Sequence, residues 1–239
     1  MKNNLIYTLY QFLIAWPIIM IITPIVAIAT IILSPILPNS DIAYFPARWW
    51  GRLICYLMFV RVKVVGVEKM SIKKSYVIVA NHQSIFDIFA IYGWLPNIFK
   101  WIMKAELRKI PLVGKACESA GHIFINRANP VAAKISLDKA KYQLVNGVSV
   151  VVFPEGTRTT NGQVGKFKKG AFRIATDLSL PVLPVTIKGS YECLRRNSCV
   201  VHPGVIELIF HDPIDVKDYL PNHADELIQK TWEVINNEF

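Results

Sequence analysis

Hydrophobic and polar positions divide the chain into two unlike parts. No charged residue occurs from Leu5 to Leu37, a run longer than the about 20 residues that are needed to cross the roughly 30 Å apolar core of a bilayer. Pro17, Pro24 and Pro35 fall inside this run, and proline interrupts helical hydrogen bonding, so we expect a kinked or broken helix. The pattern therefore predicts a helical segment in or on a membrane.

A second apolar stretch, from Tyr44 to Val60, mixes aromatic side chains with Arg48 and Arg52, as is typical of a membrane interface. A helical hairpin dipping into one leaflet and a single span followed by an interfacial helix both fit this pattern. A cleaved signal peptide fits less well, because the apolar run continues through Leu33, past the cleavage-like sequence Ala27-Ile-Ala29. Basic residues collect after the segment, which predicts that the rest of the chain lies on the cytoplasmic face.

From Arg61 onward, short runs rich in β-branched residues alternate with amphipathic stretches of helical length. This alternation predicts an α/β domain with a largely parallel, mixed sheet flanked by helices. The predicted strands are Val62 to Val67, Tyr76 to Ala80, His122 to Ile125, Val148 to Phe153, Val182 to Ile187 and Val205 to Phe210. The predicted helices are Ile85 to Leu95, Pro130 to Val145 and Ala224 to Asn237. We expect a membrane-anchoring helical segment over residues 1–60 and one α/β domain over residues 61–239.

Composition limits the classes of partner that we expect for such a protein. Hydrophobic residues make up 53% of the 239 residues, which is high for a chain without lipid contact. The formal net charge of +10 implies an anionic partner; no nucleic-acid-binding motif is visible, so we expect a phospholipid surface or a phosphorylated substrate and no nucleic acid. Cys55, Cys117, Cys193 and Cys199 lack the spacing of a zinc site or a disulfide framework, and we expect free thiols and no metal.

The stretch from Asn81 to Asp87, Asn-His-Gln-Ser-Ile-Phe-Asp, joins a predicted strand to a predicted helix. Ser84 and Asp87 have capping-box spacing, which would make Ser84 the N-cap and Asp87 the third helical residue. His82 then lies in the turn, where its imidazole can reach Asp87. A carboxylate on one imidazole nitrogen fixes the tautomer, so the other nitrogen can take a proton from a substrate hydroxyl. A helix cap beside an ordinary turn histidine is the alternative.

A second polar cluster, Phe153-Pro-Glu-Gly-Thr-Arg158, follows another predicted strand. Pro154 and Gly156 favour a tight turn there. Arg158 can grip a phosphate with two parallel hydrogen bonds, and Glu155 can orient that arginine or bind a substrate hydroxyl. A structural salt bridge within the turn is the alternative.

Two further stretches mix basic with apolar residues. Lys168 and Lys169 lie in Lys166-Phe-Lys-Lys-Gly-Ala-Phe-Arg173, which suits contact with a phosphate or an acidic carrier surface; a solvated basic helix start is the alternative. The stretch Lys100-Trp-Ile-Met-Lys104 fits a membrane-facing edge of the domain, with ordinary surface as the alternative.

Four of these features together resemble the glycerolipid acyltransferase family, and within it the lysophosphatidic acid acyltransferases. The stretch Asn81 to Asp87 resembles the family's N-H-x-x-x-x-D block, and Gly121-His-Ile-Phe-Ile-Asn-Arg127 resembles its G-x-x-x-x-x-R block. Phe153 to Arg158 resembles its F-P-E-G-T-R block, and the strand around Leu183-Pro184 resembles its short fourth block. The four blocks occur in the family's order between about Ser75 and Ile187.

The resemblance implies acyl transfer from an acyl thioester, either acyl-CoA or acyl-acyl carrier protein, to the sn-2 hydroxyl of 1-acyl-sn-glycerol 3-phosphate, giving phosphatidic acid for phospholipid biosynthesis. It implies that His82 is the general base and that Asp87 orients it. The substrate-binding residues that it implies are Arg127, Glu155, Gly156, Thr157 and Arg158. A thioester is already activated, so no cofactor beyond the acyl donor is expected.

The expected location is the inner (cytoplasmic) membrane or its equivalent, with the catalytic domain on the cytoplasmic face. The nearest alternative is an acyltransferase for another lyso-lipid, such as a lyso-aminolipid. A thioester hydrolase could use the same histidine and aspartate on water, but it has no use for a phosphate clamp. A non-catalytic lipid-binding protein would have no use for that pair either.

Overall fold

The computed structural model describes residues 5–126, 135–136, 138, 142–144, 146–219 and 223–239. The first described elements are helix α1 (Leu5–Tyr10), a π-helical turn (Gln11–Ala15) and helix α2 (Trp16–Ile36), which follow one another directly. The expected interruption is this π-helical turn, which immediately precedes the first turn of α2, where Pro17 has no N–H to continue the helical hydrogen bonds. Pro24 and Pro35 lie inside α2 without ending it.

The N-terminal segment is a helical hairpin. Helix α3 (Asp41–Leu57) returns alongside α2, since the Tyr10 hydroxyl donates to the Leu57 carbonyl at 3.0 Å and the Trp50 indole N–H to the Thr23 hydroxyl at 3.0 Å. Ser40 caps α3 by accepting from the Ala43 N–H. Within the described residues, Leu5–Ile36 is a helix long and apolar enough to cross a membrane, judged by length and composition.

The outward face of α2 is a stripe of isoleucines at helical spacing. Ile21, Ile25, Ile28 and Ile32 are about half exposed or more, whereas Ala27 and Thr30 on the opposite face are buried. Such a stripe would be unfavourable in water and is typical of a lipid-facing surface.

The described part of the chain forms a seven-stranded, largely parallel sheet, which confirms the predicted α/β fold. The strands are β1 (Val60–Val65), β2 (Val77–Ala80), β3 (Phe99–Lys104), β4 (Ile123–Ile125), β5 (Ser149–Val152), β6 (Val182–Lys188) and β7 (Gly204–Phe210). Their order across the sheet is β1-β7-β6-β2-β5-β3-β4, and β6 with β7 is the antiparallel pair. Strands β2 and β5 are parallel neighbours, so the loops that follow them meet at one edge.

Helices cover both faces of the sheet. They are α4 (Phe86–Trp94), α5 (Val113–Ser119), α6 (Lys169–Leu178), the short α7 (Ser190–Cys193) and α8 (Ala224–Asn236). The hairpin and α4 pack on one face, and α6 and α8 pack on the other. The last predicted helix is confirmed to within one residue, whereas the helix predicted from Pro130 to Val145 falls largely outside the described residues.

One prediction about the fold was wrong. The stretch from Lys100 to Lys104 is neither a membrane-facing edge nor plain surface, because it lies within β3 between β5 and β4. Lys100 is only 6% exposed and Trp101 only 5%. Lys100 and Lys104, the second and last residues of β3, made this otherwise apolar strand look like surface.

The hairpin and the α/β domain share one hydrophobic core. Buried side chains of the hairpin, such as Ile54 and Met58, belong to the same cluster as Phe89 of α4 and Leu208 of β7. The hairpin therefore packs on the domain as well as facing outward. A boundary at residue 60 stays a prediction.

Candidate active site

The turn after β2 is built by buried polar side chains. Asn81 is fully buried, and its side chain donates to the Ile187 carbonyl at 2.8 Å and accepts from the Ile187 N–H at 2.7 Å. This pair of bonds joins the end of β2 to β6, so the chain leaves the sheet at a fixed point. Sequence reasoning gave Asn81 no role, because its partner lies 106 positions away.

His82 and Asp87 are in direct contact. The His82 Nδ1 atom lies 2.8 Å from Asp87 Oδ2, and the same oxygen accepts the backbone N–H groups of Gln83 at 2.7 Å and Ser84 at 2.8 Å. The carboxylate can only accept here, so His82 Nδ1 carries the hydrogen and Nε2 presents its lone pair. Asp87 therefore caps the turn and orients the imidazole at the same time, so the two roles considered for it do not exclude each other.

The predicted capping box is shifted by one residue. The helix begins at Phe86 with Ile85 at the N-cap position, so Asp87 is the second helical residue and not the third. The Ser84 hydroxyl accepts from the Phe86 N–H at 3.3 Å and donates to the Leu194 carbonyl at 2.8 Å. Asp87 still closes the box by accepting the Ser84 N–H.

Stacking fixes the plane of the imidazole. The ring of Phe153 lies parallel to the His82 ring, with centroids 3.9 Å apart and planes at 6°. The Trp101 ring also packs against the Phe153 ring, with centroids 5.3 Å apart. The His82 side chain is 14% exposed and lines the cavity described below.

Glu155 holds the backbone of His82. Its carboxylate accepts the His82 N–H at 2.7 Å and the Gly165 N–H at 2.9 Å. Burial raises the pKa of Glu155, and these two backbone hydrogen bonds oppose that shift. Glu155 thus positions the histidine, while its predicted contact with substrate stays a prediction.

The absence of a side chain at Gly165 leaves space for the Glu155 carboxylate. A Cβ atom at this position would lie 2.7 Å from Glu155 Oε2, closer than real Cβ contacts. Sequence reasoning missed this glycine, because its spacing from Glu155 carries no motif.

The turn from Gly156 to Arg158 lies directly beside His82. Gly156 has φ of +75°, and its N–H donates to the Phe153 carbonyl at 3.1 Å. The Thr159 N–H donates to the His82 carbonyl at 2.9 Å, which ties the two turns together. Thr157 is exposed and Arg158 half-buried, and in the described part of the chain no carboxylate pairs with the Arg158 guanidinium. The salt bridge considered as an alternative for this turn is therefore not formed with Glu155.

The remaining predicted contact residues are Arg127, Lys168 and Lys169. Arg127 lies outside the described residues. Lys168 is exposed, and its backbone N–H donates to the Pro154 carbonyl at 3.0 Å. Lys169 is exposed, and its ammonium group pairs with the Asp225 carboxylate at 2.8 Å.

A cavity of about 770 Å³ opens beside His82. Its walls come from α2, α3, α4, α5 and β3, and they are largely apolar; among the lining residues are Ala27, Ala47, Ile88, Trp101, Met103 and Ala116. The hairpin therefore forms one side of the cavity and the sheet the other. A volume of this size matches a ligand-binding site.

Two buried basic side chains also line this cavity. The Lys100 ammonium group donates to the Ala120 carbonyl at 2.6 Å, and burial lowers the pKa of Lys100 to about 8. His122 contacts the Tyr92 hydroxyl at 2.7 Å; burial, and then the charge of Lys100, lower the pKa of His122 to about 3. His122 is therefore neutral at ordinary pH.

The chain is similar to proteins of a known family. The acyltransferase family model matches residues 61–188. The chloroplastic 1-acyl-sn-glycerol-3-phosphate acyltransferase of Arabidopsis thaliana is 32% identical over 195 residues, which cover 80% of this chain and 54% of the relative. The alpha enzyme of the same name from Homo sapiens is 39% identical over 178 residues, covering 74% of this chain and 63% of the relative. The chain thus spans less than two thirds of the length of these curated relatives.

A solved structure matches over nearly the whole chain. The crystal structure of the 1-acyl-sn-glycerophosphate acyltransferase of Thermotoga maritima superposes with a TM-score of 0.78 at 32% sequence identity. The match covers 99% of this chain and 94% of that one. It therefore includes the N-terminal hairpin as well as the α/β domain.

Proposed function

The chain belongs to the acyltransferase family, and from that premise we propose that it transfers an acyl group from an acyl thioester to the sn-2 hydroxyl of 1-acyl-sn-glycerol 3-phosphate, giving phosphatidic acid. The observation that carries the proposal is the contact between His82 Nδ1 and Asp87 Oδ2 at 2.8 Å, which leaves Nε2 free beside a large apolar cavity. The names of the relatives and of the matched structure support the choice of acceptor.

The reaction follows from the properties of this pair. His82 Nε2 removes the proton from the acceptor hydroxyl while its oxygen forms a bond to the thioester carbonyl carbon. The carbon–sulfur bond then breaks, and the thiolate takes the proton from the imidazolium. Asp87 stabilises that imidazolium and keeps the ring in the productive tautomer. No covalent intermediate with the protein is needed, and neither is a metal or a further cofactor, because the thioester is already activated.

Substrate binding draws on the cavity and on the turn beside it. An apolar cavity of about 770 Å³ suits a long acyl chain with its carbonyl carbon at His82. Arg158 is half-buried in the adjacent turn, without a carboxylate partner in the described part of the chain, and it binds the phosphate of the acceptor. Arg127, Gly156 and Thr157 complete that site in the proposal.

The hairpin attaches the enzyme to the membrane that holds its acceptor. The exposed isoleucine stripe of α2 lies in lipid, while the opposite face of the hairpin lines the cavity. Arg61 and Lys63 follow the hairpin, which supports placing the α/β domain on the cytoplasmic face of the membrane. An acyl chain can then pass from the bilayer into the cavity without crossing water.

A panel of acceptors and donors tests this proposal. Purified full-length protein is given acyl-CoA or acyl-acyl carrier protein, together with 1-acyl-sn-glycerol 3-phosphate or other lyso-lipids, and products are identified by mass spectrometry. We expect phosphatidic acid to form with the highest kcat/KM. Release of free fatty acid without an acylated product would identify a hydrolase, and a higher kcat/KM with a lyso-aminolipid would reject the proposed acceptor.

A further inference from the structure

The loop between α7 and β7, residues 194–203, is fixed to both the active site and the hairpin. At one end, the Leu194 carbonyl accepts from the Ser84 hydroxyl at 2.8 Å. At the other end, Val201 exchanges two hydrogen bonds of 2.8 Å with the side chain of Gln11, which is fully buried in the π-helical turn. The conformation of the loop is therefore set by the two parts of the molecule between which it lies.

Two consecutive arginines of this loop lie beside the turn that carries Arg158. The Arg196 Nη1 atom donates to the Arg158 carbonyl at 3.3 Å. The Arg195 guanidinium lies 5.4 Å from the ring centroid of Tyr191, and the Tyr191 hydroxyl donates to the Thr160 carbonyl at 2.9 Å. The Arg196 side chain thus bonds directly to the segment from Arg158 to Thr160, and the Arg195 side chain packs on Tyr191, which bonds to the same segment.

Buried contacts keep this segment in place. Gly162 has φ of +82°, and a Cβ atom there would lie 3.0 Å from the Tyr191 ring, so the glycine lets the ring pack closely. The Gln83 side chain is 2% exposed and donates to the Gly162 carbonyl at 2.6 Å. Because Gln83 follows His82 directly, the supports of the two arginines and the turn of the general base form one connected unit.

Arg195 and Arg196 are both exposed, and in the part of the chain that the structure describes neither forms an ion pair. Together with Arg158 they put three guanidinium groups on two adjoining turns. Each guanidinium has several N–H donors in a fixed planar arrangement, which suits phosphate oxygens.

The proposed reaction brings more than one phosphate to this edge of the sheet. The acceptor carries a single phosphate, which Arg158 binds in the proposal. The donor carries another, because CoA and the acyl carrier protein both bear their thiol on a pantetheine arm that ends in phosphate. We infer that Arg195 and Arg196 form a second phosphate site, which binds the phosphate end of the acyl donor's arm.

This inference rests on the proposed function, and the position of the arginines favours the donor over a lipid headgroup. Arg196 bonds to the segment from Arg158 to Thr160 beside His82, and Arg195 packs on Tyr191, which bonds to that segment; neither lies on the exposed isoleucine stripe of α2. A donor whose acyl chain enters the cavity must extend its thiol arm away from that cavity, across the outer side of the same turns.

The test compares donors with and without phosphate in the same protein. The variant is Arg195→Gln with Arg196→Gln, and the matched control is Lys217→Gln with Lys230→Gln, which removes two positive charges at exposed positions elsewhere. KM is measured for acyl-CoA and for the same acyl chain on phosphate-free pantetheine, with detergent-dispersed acceptor. We expect the variant to raise KM for acyl-CoA about tenfold or more and to leave KM for acyl-pantetheine within about twofold.

Other outcomes would overturn the inference. An equal rise in KM for both donors would mean that the arginines only support the fold, and a rise confined to KM of the acceptor would make them part of the Arg158 site. Loss of sedimentation with phosphatidylglycerol vesicles, with both donor constants unchanged, would assign them to a lipid headgroup. Calorimetric titration with unacylated CoA separates this inference from the proposed function: weaker CoA binding in the double variant supports it even if the wild type forms no phosphatidic acid, and equal binding rejects it.

Discussion

A single carboxylate oxygen of Asp87 holds both the His82 ring and the turn around it. It contacts the His82 imidazole and accepts the N–H groups of Gln83 and Ser84. An asparagine in its place keeps one oxygen for the two backbone groups but has no negative charge to stabilise an imidazolium. The fold and the chemistry therefore depend on different properties of the same side chain.

Asp87→Asn separates these two properties. We expect kcat to fall by about 10²-fold or more, because the imidazolium loses its counter-charge, while Tm stays close to that of the wild type. Initial rates of acyl transfer and thermal unfolding measure the two effects. Asp225→Asn, which changes an exposed carboxylate paired with Lys169, is the control and should retain wild-type kcat. Wild-type activity in Asp87→Asn would contradict the assigned role.

Gly165→Ala tests whether Glu155 positions His82. The new Cβ would lie 2.7 Å from Glu155 Oε2 and displace the carboxylate that accepts the His82 N–H. We expect kcat to fall by about tenfold, since small displacements of a catalytic group are costly. Gly170→Ala is the matched control, because a Cβ there meets no atom within 4 Å, and its kcat should not change. Equal activity of the two variants would argue against the positioning role.

Lys100 should make stability depend on pH. Burial lowers its pKa from 10.5 to about 8, so between these values the unfolded chain binds more protons than the folded one. The free energy of unfolding therefore rises as pH rises through that window, and Lys100 accounts for roughly 3 kcal/mol of the rise at most. The Tm of the wild type relative to Lys100→Met should increase from pH 7.5 to pH 10.5. A Tm difference that stays constant, as expected for the exposed Lys217→Met, would show that Lys100 is not desolvated.

The sequence predicts the candidate site residues better than the residues that hold them in place. His82, Asp87 and the turn from Phe153 to Arg158 lie within short motifs at strand ends, so local spacing is enough to identify them as candidate site residues. Asn81 and Gly165 act through partners 106 and 10 positions away, and no local pattern marks such contacts. The stacking of Phe153 on His82 depends in the same way on the pairing of β2 with β5.

At the scale of elements, periodicity predicts most of the strands. Six predicted strands are present, and β3 was missed because Lys100 and Lys104 made an apolar run look like surface. Lys100 tolerates burial by donating to the Ala120 carbonyl and by its lowered pKa. The start of α4 was misplaced by one residue, since Ser84 and Asp87 form their cap from a turn that precedes the helix.

Gln11 is a buried polar residue that joins the hairpin to the loop before β7. Gln11 makes two hydrogen bonds of 2.8 Å to the backbone of Val201, and a leucine would leave that N–H and carbonyl buried without partners. We expect Gln11→Leu to destabilise the protein by about 2 kcal/mol or more and to lower Tm by roughly 5 °C. Gln229→Leu, at an exposed position of α8, is the control and should leave Tm nearly unchanged. The same Tm for both variants would show that this contact does not hold the hairpin.

For the molecule as a whole, the exposed apolar face of the hairpin should decide how the protein is attached to membranes. Burying many apolar side chains in lipid gives far stronger attachment than basic surface residues, which contribute about 1 kcal/mol each. The protein should therefore stay with the membrane fraction in 1 M salt and in carbonate, and detergent should release it. Release by salt alone would mean that the isoleucine stripe is covered by another protein surface and does not lie in lipid.

The central claim is that His82 is the base that activates the acceptor hydroxyl. Its most direct test is the single-turnover rate of phosphatidic acid formation by detergent-solubilised His82→Ala, with 1-acyl-sn-glycerol 3-phosphate and acyl-CoA both saturating. The account predicts a rate lower than that of the wild type by about 10²-fold or more, with Tm and acceptor binding unchanged. A single-turnover rate within about threefold of the wild type, in a variant that is folded and binds both substrates, would contradict it.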